Sequence, residues 1–70
     1  MKIIVTTNTN TLVEGTLCAF NKYFVTLDVE QLPAYKASAI IIEGGEITQY
    51  SKYVHVKINA DMIQDWKMKD

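Results

Sequence analysis

At 70 residues the chain is long enough for one domain and no more, and its single cysteine excludes an internal disulfide. A net charge of −1 excludes a protein that coats duplex nucleic acid through clustered cations. All seven basic residues are lysines, so bidentate guanidinium readout of guanine or phosphate is excluded as well.

Lys2 to Thr7 is short and β-branched and predicts a first strand. Thr6 to Thr11, TTNTNT, is a polar break rich in turn formers. Leu12 to Phe20 predicts a second strand, with Gly15 inside it marking a bend, a bulge or a close backbone approach. Its parity is mixed: Val13, Leu17 and Ala19 share one side, and Leu12, Cys18 and Phe20 the other. Asn21-Lys22 reads as a turn that sets Phe20 opposite Tyr23, and Tyr23 to Val29 as a third strand. Pro33 disfavours a central strand over Glu30 to Lys36.

Ala37 to Glu43, around Ile40-Ile41-Ile42, predicts a fourth strand. Gly44-Gly45 is the strongest hairpin signal in the chain, with Glu46 to Tyr50 returning and Glu43 set opposite Glu46. Tyr53 to Ile58 alternates cleanly, with Val54, Val56 and Ile58 facing in and Tyr53, His55 and Lys57 facing out. Asn59 then reads as the N-cap of a short C-terminal helix over residues 60–68, anchored by Trp66 and sharing a face with Met62 and Ile63. The expected fold is β with this one short C-terminal helix, a single small, strongly bent barrel of five to six strands over residues 1–70.

Hydrophobic residues make up 49% of a chain with little volume to bury them in, so a homo-oligomer or another partner is expected to cover apolar surface. The first residues turn polar too soon for a signal peptide and no apolar run approaches a membrane span, which points to a cytoplasmic protein with Cys18 reduced. No catalytic motif is present: His55 reads as a solvated side chain, Cys18 as a small hydrophobe, and neither Ser38 nor Ser51 has a recognisable base beside it. One Cys and one His do not supply a four-ligand metal site, and no cofactor or enzymatic activity is expected.

Residues 10–28, NTLVEGTLCAFNKYFVTLD, resemble the first sequence motif of the Sm-like RNA-binding proteins, most closely the bacterial Hfq branch, with Val13, Gly15, Leu17, Phe20, Tyr23, Val25 and Leu27 in the matching places. Asn21 stands where that family usually has aspartate, and AYKAS, residues 34–38, is similar to its Tyr-Lys-His stretch with Ala37 in place of the histidine. The resemblance implies a small SH3-like or Sm-like barrel, a ring of subunits, and single-stranded RNA stacked on Tyr23 with Lys22, Lys36 and Asn21 beside it. The family's N-terminal helix has no counterpart here, and neither do the residues after Glu43 in its bacterial members. The other reading is a protein-interaction module, an adaptor or inhibitor of the kind a phage or mobile element encodes. It would use an exposed strand edge, Phe24, or the face of Met62 and Trp66.

Overall fold

The computed structural model describes residues 1–69. Six strands, β1 (Lys2–Thr7), β2 (Leu12–Phe20), β3 (Phe24–Val29), β4 (Glu46–Gln49), β5 (Val54–Asn59) and β6 (Ile63–Met68), form one antiparallel sheet in the order β4-β5-β3-β2-β1-β6. One helix, α1 (Ala34–Ile42), joins β3 to β4, and a single 3-10 turn, Ala60–Met62, joins β5 to β6. The expected β-rich character is therefore present, together with one short helix.

Alternation decides which face is buried. Ile3 and Val5 of β1 and Val54, Val56 and Ile58 of β5 are core residues. Strand register aligns Leu17, Leu27, Val56 and Ile47 in one row across the inner face.

The connection from β5 to β6 dictates the curvature. These strands are second and sixth in the sheet, about 19 Å apart if the sheet were flat. A three-residue 3-10 turn advances only about 6 Å. The sheet must therefore curl until the end of β5 meets the start of β6. Gly15 allows part of this curl: a Cβ there would lie 2.5 Å from the Asp28 carbonyl oxygen, so only glycine lets β3 pass this close. A register shift between Leu17 and Ala19 inserts an extra residue into β2, which explains the mixed parity of that strand.

Two expected elements are corrected. Residues 37–43 are not a strand: α1 covers Ala34–Ile42 and buries Ile40 while Ile41 and Ile42 face solvent. Alanines at 34, 37 and 39 favour helix, Pro33 stands at its N-cap, and Gly44-Gly45 ends it instead of making a hairpin. Gly44 has a φ of 93°, and the Gly44 and Gly45 N–H groups donate to the Ile41 and Ile40 carbonyls at 3.0 and 2.9 Å, the pairing of a Schellman motif. Glu43 and Glu46 are consequently not opposed. Glu43 accepts from the Thr9 hydroxyl at 2.9 Å, and Glu46 pairs with Lys57 at 3.3 Å.

The C-terminal helix expected over 60–68 is also absent. Only Ala60–Met62 is helical, and Ile63–Met68 is strand β6. A helix that short is marginal in water, whereas pairing with β1 satisfies a row of backbone groups that β1 would otherwise expose. Asn59 makes no side-chain cap, and its amide donates to the Gly44 carbonyl instead.

Helix α1 closes one mouth of the curled sheet. Ile40 enters the core, the Lys36 ammonium donates to the Leu12 carbonyl at 2.7 Å, and Glu43 holds the β1–β2 loop through Thr9. Among the described residues nothing equivalent covers the inner face at the far end of β1 and β6.

Candidate functional site

That far end is an apolar groove of about 290 Å³ lined by Met1, Ile3, Val5, Leu17, Phe20, Val25, Ile63 and Trp66. Strand register explains why these residues converge. Trp66 pairs with buried Val5 and Met68 with buried Ile3, so both point to the inner side of the sheet. Phe20 pairs with Val25, two residues from buried Leu27, so the bulge in β2 turns the Phe20 ring inward as well. Trp66, Met1 and Phe20 remain 58%, 57% and 71% exposed on a face that elsewhere forms the core. β6 is an edge strand, and its ladder away from β1 is unpaired.

The residues singled out for partner binding diverge. Trp66 lies in the groove. Met62 is half-buried and packs against the core. Phe24 is half-buried beneath the Lys57 ammonium, 4.2 Å from its ring centre.

The residues singled out for RNA split into two places. Asn21, Lys22 and Tyr23 meet at the tip of the β2–β3 hairpin. Asn21 Oδ1 accepts from the Tyr23 and Phe24 N–H groups at 2.7 and 3.1 Å, which shapes the turn. Phe20 pairs with Val25, so the aromatic expected opposite it, Tyr23, stands in the turn. The Tyr23 ring is 68% exposed, with the Lys22 ammonium 5.1 Å from its centre. Lys36 sits in α1 with its ammonium on Leu12, at the other end of β2, about 25 Å of strand away.

A second cluster lies on the outer face. Thr16, Asp28, His55 and Thr48 form one cross-strand row, with Cys18 of the bulged segment beside Asp28. His55 Nδ1 is 2.9 Å from Asp28 Oδ1, and the thiol, carboxylate and imidazole donor atoms all lie within 4.8 Å of one another. The hydrogen bond with His55, then that with Cys18, holds the Asp28 carboxyl below its ordinary range. Desolvation, then the Asp28 carboxylate, pushes the Cys18 thiol up. Asp28 therefore stands between thiol and imidazole, the reverse of an activated cysteine nucleophile. Outward parity of His55 was legible in the sequence, but its adjacency to Asp28 was not, because α1 and β4 intervene between β3 and β5.

No helix among the described residues is long and apolar enough to cross a membrane. Comparisons with protein-family models, curated proteins and solved structures found no match to the chain.

Proposed function

We propose that the chain is a small non-enzymatic protein-interaction module that docks through the groove and the free edge of β6, and that a second copy of the chain is the partner seated there. The observation that carries this reading is the uncovered inner face: Trp66, Met1 and Phe20 are exposed where the rest of that face is core. A small monomer rarely leaves such a patch open unless something covers it.

The edge itself is self-complementary. In an antiparallel pairing of two β6 strands centred on Trp66, Asp65 of each copy falls opposite Lys67 of the other on the outer face, and the two Trp66 rings meet on the inner face. Pairing at an edge also satisfies the backbone groups that β6 leaves open. The same edge suits an adaptor or inhibitor, and a free, exposed Cys18 suits the reducing cytoplasm.

Sedimentation across a concentration series tests the reading, with Trp66 emission as a local probe because it is the sole tryptophan. A dimer whose emission shifts to the blue is expected. Asp65→Lys should break the dimer by opposing like charges, and the Asp65→Lys/Lys67→Asp exchange should restore it. A monomer with water-exposed Trp66 emission throughout the series overturns self-association.

A second reading, single-stranded RNA binding, is favoured by the exposed Tyr23 ring beside Lys22. Stacking of one base on that ring is worth about 1–3 kcal/mol. Binding to oligo-U or oligo-A that weakens as salt rises and is lost in Tyr23→Ala would support it. A dock at β6 is insensitive to Tyr23→Ala and, being largely apolar, lacks the steep salt dependence of phosphate binding.

A further inference from the structure

We propose that Cys18, Asp28 and His55 form a binding site for one thiophilic divalent cation of the zinc class, with solvent as the fourth ligand. The inference is independent of the docking reading, because the site lies on the outer face of β2, β3 and β5 and the groove on the inner face.

The donor set is one sulfur, one carboxylate oxygen and one imidazole nitrogen. That mixture suits a borderline-soft cation and does not suit calcium or magnesium, which take oxygen ligands. Three protein ligands plus an open position is the arrangement of reactive zinc sites, whereas structural sites close all four.

The geometry is close to what coordination requires. Metal–ligand distances of about 2.0–2.3 Å place tetrahedral donors roughly 3.3–3.7 Å apart. The three donor atoms here lie within 4.8 Å of one another, and the closest pair, His55 Nδ1 and Asp28 Oδ1, is 2.9 Å apart. The 4.8 Å limit exceeds that tetrahedral separation by only about 1 Å. The Asp28–His55 contact spans directly opposed residues on paired strands, so two of the ligands are already held by the ladder.

The third ligand depends on the bulge. Regular alternation after Leu17 would turn Ala19 inward. The register shift instead places Ala19 opposite outward-facing Thr26 and presents the Cys18 thiol beside Asp28. Bulges that re-aim a side chain in this way are common beside functional sites. The surroundings supply an outer contact too: Tyr50 packs edge-on against His55 with ring centres 6.0 Å apart.

Cobalt titration of the intact chain under reducing conditions tests the proposal. One cobalt per chain is expected, with a near-ultraviolet thiolate-to-cobalt charge-transfer band and visible absorption of four-coordinate strength, both abolished by added zinc. Cys18→Ser should remove the charge-transfer band, and Cys18→Ser and His55→Gln should each weaken zinc binding by at least about tenfold. All three ligands are on the outer face, so the variants should keep the far-ultraviolet spectrum of the parent, which is recorded alongside. Absence of the thiolate band in the parent chain overturns the proposal, as does unchanged zinc affinity in folded Cys18→Ser or a stoichiometry of one metal per two chains.

Discussion

Gly15→Ala perturbs the tightest backbone approach in the sheet. The added Cβ would stand 2.5 Å from the Asp28 carbonyl oxygen, 3.1 Å from its carbon and 3.1 Å from a Val29 methyl. The first distance is about 1 Å inside ordinary contact, and a backbone oxygen in a hydrogen-bonded strand has little freedom to retreat. Relief requires β2 and β3 to separate beside Gly15. Overpacking of this kind costs about 1–3 kcal/mol. A domain of this size loses roughly 4–8 °C in Tm for each kcal/mol. Thermal unfolding followed by far-ultraviolet circular dichroism should therefore place Gly15→Ala at least about 4 °C below the parent. An unchanged Tm would mean that β3 does not pass close over Gly15.

Other substitutions read out the corrected elements. Ile40→Ala should cost about 2–5 kcal/mol in urea unfolding, whereas Ile42→Ala should stay within about 0.5 kcal/mol. Ile40 is 1% exposed and Ile42 84%, so equal losses would return this segment to a doubly buried strand. Gly44→Ala should cost about 1–2 kcal/mol, because its φ of 93° is strained for any residue with a Cβ, and no loss would argue against the Schellman ending of α1. Glu14 accepts a hydrogen bond from the Lys69 ammonium at 2.7 Å, which is the main reason its carboxyl titrates below the ordinary range. The depressed value stabilises the fold above the unfolded carboxyl pKa, and that contribution is lost as pH falls through the folded one. Lys69→Ala should raise the Glu14 pKa in an NMR titration, and an unmoved value would detach the end of β6 from β2.

β-branched composition sufficed to read β1 from the chain alone, and period-two alternation to read β5, since one face of that strand must be apolar to bury it. Gly15 was legible as a bend, a bulge or a close approach, and the structure shows the last of these: a strand interior admits glycine where a side chain has no room. The triple isoleucine was misleading because β-branched residues favour strands locally, while Pro33, the alanines and Gly44-Gly45 together framed a helix whose single buried isoleucine seals the core. Residues 63–68 show the same limit from the other side. Their Met62, Ile63, Trp66 spacing fits a helix face, but β1 had an open edge, and satisfying a row of backbone hydrogen bonds outweighs the propensity of a few residues. The groove and the Cys18–Asp28–His55 cluster were beyond the reach of the sequence because both depend on pairings between distant strands. Local pattern determined which residues face inward, and long-range pairing decided which of them meet and which are left uncovered.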